Sequence, residues 1–221
     1  MLKAKIIIAV LLAMSLMAFG CTSKAQSDFI EGLNYKAVNP PQATDVKPGQ
    51  IEVIEFFWYG CPHCFAVEPY LEVWRDTKPA NVVFKLVPAA WSGGEHMDVD
   101  GRAYYTALAL GLEPRIHEPL FNAIHLDGQY GLVSSQDALQ QFFAKYGVSK
   151  QQFDATWNSP KVNQEMQQAL ATLTRYGVMG VPTFVVNGKW MTGGGYGDMT
   201  PARIVQCLQF LVQKEEAALK K

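Results

Sequence analysis

Residues 55–64 read EFFWYGCPHC and join an apolar segment to two cysteines that are separated by two residues. Residues 51–58 are rich in β-branched and aromatic side chains, a composition typical of a buried strand. After the turn at Tyr59-Gly60, apolar residues recur at helical spacing over residues 65–74. The stretch therefore predicts a strand, a turn and a helix that meet at the cysteine pair.

The predicted helix begins at the first cysteine. If Cys61 is the N-cap residue, Pro62 takes the first helical position, where its missing amide costs nothing. The free amides of His63 and Cys64 then point at the Cys61 sulfur. Together with the helix dipole and a protonated His63, they favour the Cys61 thiolate and destabilise the disulfide relative to the dithiol. The sequence therefore predicts an oxidising redox centre.

The cysteine pair has two other interpretations, a structural disulfide and half of a zinc site. A four-ligand zinc site needs two more cysteines or histidines at close spacing. The remaining ones occur singly along the chain, and they are Cys21, Cys207, His96, His117 and His125. We therefore prefer redox chemistry and predict no metal ligand.

The composition allows one substantial core, perhaps with a subdomain, because 49% of the 221 residues are hydrophobic. The formal net charge of −1 at pH 7 gives no indication of nucleic acid or of acidic substrates. We therefore expect a globular protein that does not bind nucleic acid.

Residues 1–20 have the pattern of a secretory signal peptide, because Lys3 and Lys5 precede an apolar stretch that is short for a membrane span. Export would place the cysteine pair where disulfides persist. Residues 16–21, LMAFGC, resemble a bacterial lipoprotein box. We favour lipidation of Cys21 over its loss with the signal peptide.

The segments on either side of the first helix predict a parallel strand pair. Residues 21–50 are interpreted as a tether and an extended arm, since Pro40-Pro41 disfavours regular structure. Residues 81–88 form a second apolar strand after the helix. A helix between two strands is the usual crossover of a parallel pair.

Helical patterns dominate residues 98–170. Ser134 and Ser149 are predicted N-caps of two helices, and Ser159 is the predicted N-cap of a longer one that Gly177 ends. These boundaries predict several helices in succession.

A hairpin and a last helix follow. Residues 183–186 and 189–191 are predicted strands, joined by Asn187-Gly188, which tolerates the positive φ angles of a tight turn. Thr200 is the predicted N-cap of the last helix. Just before the hairpin, Pro182 enters a strand where it cannot donate to the ladder, and a cis bond that faces the cysteines would explain its position. The alternative is an ordinary trans proline at a strand start, which is the commoner form when the position is taken alone.

These motifs resemble those of the DsbA family of bacterial periplasmic disulfide oxidoreductases, within the thioredoxin superfamily. CPHC at residues 61–64 matches the active-site tetrad of the family. GVPT at residues 180–183 matches its cis-proline loop, and FVVNGK at residues 184–189 matches the hairpin that follows. The resemblance covers residues 30–214.

The resemblance implies an α/β fold, in which a thioredoxin-like domain is interrupted by an all-helical insertion. The domain would comprise residues 51–97 and 171–221, and the insertion residues 98–170. The implied activity is the introduction of disulfides into exported proteins that carry free thiols. It implies a periplasmic monomer, no cofactor other than the redox-active disulfide, and reoxidation by a membrane oxidase of the DsbB kind.

The resemblance also assigns roles to residues of the site. Cys61 would be the exposed nucleophile and Cys64 its buried partner, with His63 stabilising the Cys61 thiolate. Val181 would offer its backbone to an extended substrate segment, and Pro182 would pack beside the disulfide and shape the groove.

Two charged residues on apolar strands, Glu55 and Lys85, occupy positions where the family has an acid and a lysine near the buried cysteine. Charges there are unfavourable unless they are paired. Our hypothesis is that the pair moves the proton for Cys64. The alternative is that both residues lie at strand ends and reach solvent.

Other functions remain open at this point. One is a disulfide isomerase or reductase of the same superfamily. Another is a copper or zinc carrier that binds the metal through both thiolates.

Overall fold

A computed structural model of the chain describes residues 29–91 and 95–220, with the side chains of residues 95–97 omitted. The predicted signal peptide, residues 1–20, and the predicted lipidation site, Cys21, lie outside the described residues. Within the described part of the chain, no helix is both long enough and apolar enough to cross a lipid bilayer.

The centre of the fold is a five-stranded mixed sheet with the strand order β1-β5-β4-β2-β3. Strands β2 and β3 are parallel, as the strand–helix–strand pattern predicts, and the other neighbours are antiparallel. All seven residues of β2 are buried, which explains its nearly continuous apolar sequence. The strands are β1 (Tyr35–Ala37), β2 (Ile51–Phe57), β3 (Val82–Pro88), β4 (Thr183–Val186) and β5 (Trp190–Gly193).

Seven α-helices and one 3₁₀ helix surround the sheet in the described residues. They are α1 (Pro62–Thr77), α2 (Glu95–Ala109), α3 (Glu113–His125), the 3₁₀ helix Tyr130–Val133, α4 (Gln136–Ala144), α5 (Lys150–Trp157), α6 (Pro160–Tyr176) and α7 (Pro201–Leu219). Five of these helices, α2 to α6, lie between β3 and β4 in the chain, where the helical insertion was predicted.

Helix ends follow the capping residues, with one difference from the prediction. The Ser149 hydroxyl accepts from the amide of Gln152 in a capping box, and Gly177 ends α6 with a left-handed φ of 60°. The N-cap of α4 is Ser135, not the predicted Ser134. Ser134 ends the preceding 3₁₀ helix, so α4 begins one residue later.

The hairpin between β4 and β5 holds the N-terminal arm. Asn187 and Gly188 have φ angles of 53° and 65°, the conformation expected for this turn. The amide of Gln42 donates to the carbonyl of Gly188 at 2.9 Å. The arm is not extended coil throughout, because its residues Tyr35–Ala37 pair with β5.

The helical insertion and the sheet share one core around the cysteines. Phe57, Tyr59 and Cys64 belong to the same buried cluster as Ile116 and Phe121 of α3. The predicted boundary between residues 170 and 171 falls inside α6. The insertion therefore shares a hydrophobic core with the residues around the cysteine pair.

Candidate active site

The start of α1 has the predicted geometry. Cys61 is the N-cap with φ −84° and ψ 114°, and Pro62 occupies the first turn. The amide nitrogen of Cys64 lies 3.4 Å from the Cys61 sulfur, to which it donates. The free amides of the helix N-terminus thus face the sulfur of the first cysteine.

Both cysteines of the tetrad are buried free thiols. Cys61 retains 6% of its surface and Cys64 none, so Cys61 is the more accessible of the two. The expectation of an exposed Cys61 needs correction, because the carbonyl of Val181 lies 3.6 Å from its sulfur and helps to cover it. The loop that carries Val181 therefore limits access to the Cys61 sulfur.

The two thiols have opposite acidities. The hydrogen bond from the Cys64 side chain, and then the amides of Cys64 and His63 and the charge of His63, lower the pKa of Cys61 to about 6 against the opposing effect of burial. Burial, and then the proximity of Cys61 and Glu55, raises the pKa of Cys64. At neutral pH Cys61 is therefore mainly a thiolate and Cys64 a thiol.

The loop before β4 meets the cysteines from the other end of the chain. The Val181–Pro182 peptide bond is cis, and Pro182 is buried. The Thr183 hydroxyl donates to the carbonyl of Gly180 at 2.7 Å and closes the loop. Gly193 of β5 lies directly behind the loop, and a Cβ atom there would overlap the carbonyl oxygen of Pro182.

A groove of about 230 Å³ lies beside this loop. Its lining includes His63 and Val67 of α1, Val181 of the cis-proline loop, and Met199 and Ile204 near the start of α7. The groove is thus formed by three parts of the chain, and His63, which is exposed, stands at its edge.

The structure does not bring Glu55 and Lys85 together. In the parallel register Lys85 is opposite Ile54, so its side chain lies on the sheet face opposite to that of Glu55. The Lys85 ammonium binds the carboxylate of Glu52 at 2.6 Å and keeps 34% of its side chain exposed. The Glu55–Lys85 pair that we hypothesised is therefore replaced by a Glu52–Lys85 pair.

Glu55 is fully buried, and neither of its carboxyl oxygens has a hydrogen-bond partner among the described residues. Burial, and then the nearby charge of Glu68, raises the pKa of Glu55 well above its usual value. Glu55 also contributes to the raised pKa of Cys64, which indicates that the two groups are close enough to interact. Burial thus favours the protonated form of Glu55 near the buried cysteine.

A buried polar chain that sequence reasoning missed runs through Glu68 on α1. Its carboxylate accepts from Arg75 at 3.0 Å and lies 3.5 Å from Nε2 of His117. The other ring nitrogen of His117 lies 2.9 Å from the Tyr59 hydroxyl. Burial would raise the pKa of Glu68, but His117 and Arg75 lower it, so Glu68 is the more acidic of the two carboxyls.

A sequence signal for this chain exists. Glu68 follows Cys64 by four residues and lies between the buried residues Val67 and Leu71, so it falls on the apolar face of α1. His117 has the same kind of position on α3, since Ile116 is buried beside it. A polar residue on a buried helix face requires a partner, and these two side chains lie 3.5 Å apart.

Among the side chains of residues 29–91 and 98–220, no group of three or more His, Cys, Asp or Glu residues is arranged to hold a metal ion. Cys207 is buried on α7 and lies 3.5 Å from the Thr192 hydroxyl, remote in sequence from the tetrad. The third described cysteine thus packs as a small core residue.

Comparison with known proteins gives one family. The model of the DSBA-like thioredoxin domain matches residues 96–202. The thiol:disulfide interchange protein DsbA of Pseudomonas aeruginosa (strain PAO1) is 36% identical over 220 residues, which are 98% of this chain and 99% of the relative.

Solved structures agree with this result. The crystal structure of Pseudomonas aeruginosa DsbA is 36% identical, has a TM-score of 0.78, and is matched over 89% of this chain and 99% of that one. A structure of Proteus mirabilis DsbA with a non-covalently bound peptide, PWATCDS, is 26% identical with a TM-score of 0.64, over 88% and 100% of the two chains. This chain therefore belongs to the DsbA family and is a thiol:disulfide oxidoreductase with a thioredoxin-like fold and a helical insertion.

Proposed function

We propose that this oxidoreductase introduces disulfides into exported proteins by exchange at Cys61 and Cys64. The observation that carries the proposal is the opposite acidity of the two thiols. A Cys61 pKa of about 6 stabilises the dithiol product of the reaction, which makes the disulfide form an oxidant.

The reaction balances as two exchange steps. A substrate thiolate attacks the Cys61 sulfur of the enzyme disulfide, and Cys64 leaves as a thiolate that takes up a proton. A second substrate thiolate then attacks the substrate sulfur of the mixed disulfide, and Cys61 leaves as a thiolate. The substrate loses two electrons and gains a disulfide, and the enzyme becomes the dithiol.

Glu55 is the proposed proton donor for Cys64. Its raised pKa favours the protonated form, and Cys64 needs a proton when it leaves because burial raises its own pKa. Lys85 has no part in this proposal, since it binds Glu52 on the other face of the sheet.

The groove beside the cis-proline loop is the proposed substrate site. Val181 would pair its backbone with an extended peptide, and Pro182 would hold the loop against Cys61. The presence of a peptide, PWATCDS, in the Proteus mirabilis DsbA structure supports a peptide ligand. The Val181 carbonyl accepts from the Cys61 thiol at 3.6 Å, so a peptide paired along this loop would have its cysteine near the Cys61 sulfur.

Export and anchoring are part of the same proposal. The signal pattern in residues 1–20 supports a periplasmic enzyme, and a lipid on Cys21 would attach it to a membrane. A membrane oxidase of the DsbB type would return the dithiol to the disulfide. The intact mass of membrane-extracted protein tests the anchor, because an unmodified Cys21 or a mature chain that begins after Cys21 would contradict it.

The redox couple tests the function itself. The protein is equilibrated with mixtures of reduced and oxidised glutathione, and free thiols are then trapped in acid and counted. We expect a couple more oxidising than glutathione, and we expect His63→Ser to make it more reducing, because it removes a positive charge near the thiolate. A couple as reducing as that of thioredoxin would overturn the proposal and favour a disulfide reductase.

A further inference from the structure

One peptide unit immediately before the tetrad is held by two helices of the insertion. The carbonyl of Tyr59 accepts from Nε2 of His125 on α3 at 2.8 Å. The amide of Gly60 donates to the carboxylate of Asp100 on α2 at 3.3 Å. These two groups are the C=O and N–H ends of the same trans peptide, which point in opposite directions. Two helices of the insertion therefore hydrogen-bond to the two ends of this peptide unit.

His125 makes a second contact, on the other side of the tetrad. Its ring stacks on Phe65, with the ring centroids 4.8 Å apart and an angle of 13° between the planes. Phe65 directly follows Cys64, whereas Tyr59 precedes Cys61 by two residues. One side chain of the insertion thus touches both flanks of the CPHC segment.

The position of this peptide bears on the Cys61 sulfur. The turn is closed by the amide of Cys61, which donates to the carbonyl of Trp58 at 2.9 Å. The direction in which Cys61 leaves the turn decides how well its sulfur meets the amides of the helix N-terminus. If the Tyr59–Gly60 peptide were free to rotate, the Cys61 sulfur would be less well aligned with those amides.

We propose that His125 is a positioning residue, which fixes the Tyr59–Gly60 peptide and thereby aligns the Cys61 sulfur with the N-terminus of α1. Asp100 holds the other end of the same peptide. This inference rests on the proposed redox function, and it makes the helical insertion a determinant of the redox couple as well as a cover for the groove.

His125 is the more suitable residue for a test, because it is partly exposed whereas Asp100 is 1% exposed. His125→Phe keeps an aromatic ring to stack on Phe65 but removes the N–H donor. His125→Gln places an amide N–H near the position of Nε2 and so keeps the hydrogen bond to Tyr59. The two variants separate the hydrogen bond from the stacking.

The readouts are the equilibrium constant with glutathione and the pH midpoint of Cys61 thiolate absorbance at 240 nm. We expect His125→Phe to shift the equilibrium roughly threefold to tenfold toward a more reducing couple, the change that one hydrogen bond corresponds to. The thiolate midpoint should rise with it. His125→Gln should stay within about twofold of the parent.

Leu139→Ala is the control for general destabilisation. Leu139 is fully buried on α4 in the same core cluster, and its loss loosens the insertion without removing a contact to the Tyr59–Gly60 peptide. We expect it to lower the free energy of unfolding and to leave both readouts unchanged.

Two outcomes would overturn the inference. One is a His125→Phe variant with the equilibrium constant of the parent. The other is an equal shift of the equilibrium constant in His125→Phe, His125→Gln and Leu139→Ala. Such a result would indicate general destabilisation of the insertion and no specific role for the hydrogen bond to Tyr59. The proposed function is tested separately, by the equilibrium constant of the parent protein with glutathione. The inference about His125 depends only on the differences between the variants and the parent.

Discussion

The amide nitrogen of Cys64 lies 3.4 Å from the sulfur of Cys61, so the buried cysteine donates a hydrogen bond to the sulfur with which it exchanges. The thiol of Cys64 is the largest contribution to the low pKa of Cys61, and the amides add to it. In the dithiol form the two residues thus stabilise one negative charge between them. The disulfide form has no such charge, and this difference drives the proposed oxidation.

The first prediction is that the reduced protein becomes more stable between pH 6 and pH 8. The pKa of Cys61 is about 6 in the folded protein and 9.0 for an ordinary thiol. A lowered pKa contributes stability that is complete above the unfolded pKa and is lost as the pH falls through the folded pKa. We expect ionisation of Cys61 to add about 1 kcal/mol to the free energy of unfolding at pH 7 and about 3 kcal/mol at pH 8. Urea unfolding of the dithiol form measures this gain.

The disulfide form is the control for this first prediction. Its Cys61 has no proton to lose, so its free energy of unfolding should lack the rise between pH 6 and pH 8. The stability of the reduced protein relative to the oxidised protein should therefore increase between pH 6 and pH 8. Parallel pH profiles for the two forms would contradict a lowered Cys61 pKa.

The second prediction concerns the buried acid. Glu55→Gln removes the proposed proton donor and keeps the shape of the side chain, so we expect thiol exchange at Cys64 to slow by roughly a hundredfold or more. Burial raises the pKa of Glu55 in the folded protein, so above the ordinary value of 4.5 this residue lowers the free energy of unfolding of the parent. Glu55→Gln removes that cost and should be at least as stable as the parent at pH 7. Stopped-flow kinetics of reduction between pH 5 and pH 8 give the rate.

Lys85→Met is the matched control, since its side chain lies on the other face of the sheet. It should leave the exchange rate close to that of the parent while it lowers stability through loss of the Glu52 pair. Unchanged kinetics in Glu55→Gln would remove Glu55 from the mechanism. A slow Lys85→Met variant would restore the lysine that the structure separates from the site.

The parts of the site that could be predicted from the sequence depend on neighbouring residues. The N-cap position of Cys61 follows from the proline beside it, and the hairpin turn follows from Asn187-Gly188, because both conformations are local. The cis bond at Pro182 was expected from the resemblance of residues 180–183 to the cis-proline loop of the family, whereas the position of a proline at a strand start alone favours the commoner trans form.

The parts that could not be predicted depend on register and on packing between distant elements. The sequence shows that Lys85 and Glu55 both lie on apolar strands, but only the strand register shows that they occupy opposite faces. The contact of Glu68 with His117 joins α1 to the insertion, and no spacing within either helix determines it. The hydrogen bond from His125 to the Tyr59 carbonyl also joins distant parts of the chain, and no local spacing determines it.

The third prediction tests the support of the cis-proline loop. Gly193 has a φ of 154°, and a Cβ atom there would overlap the carbonyl oxygen of Pro182. Gly193→Ala should therefore destabilise the protein by about 2 kcal/mol or more and displace the loop beside Cys61. We expect a lower rate of disulfide transfer to a peptide dithiol together with the loss of stability.

Gly195→Ala is a close control for this third prediction. Gly195 lies two residues further along, and an added Cβ atom there would meet nothing within 4 Å. Its effect on unfolding should stay below about 0.5 kcal/mol. If both variants were equally active and equally stable, Gly193 would have no role in supporting Pro182.

The fourth prediction concerns Glu215 on α7, which ties the last helix to the hairpin. Its carboxylate accepts from Asn187 at 2.6 Å and from Lys189 and Trp190 at 2.7 Å each. Burial would raise the pKa of Glu215, but these three donors lower it. We expect Glu215→Gln to lower the free energy of unfolding by about 2 kcal/mol at pH 7, because its amide N–H₂ group would face hydrogen-bond donors.

The pH dependence makes this fourth prediction specific. Because the folded pKa of Glu215 is lowered, its contribution is complete above the ordinary value of 4.5 and is lost as the pH falls through the folded pKa. The gap between Glu215→Gln and the parent in urea unfolding should therefore narrow as the solution is acidified below pH 4.5. Glu72→Gln, at an exposed position on α1, should show neither the gap nor its narrowing. A gap that persists unchanged to pH 3 would mean that the Glu215 charge does not hold the hairpin, and that the shape of its side chain does.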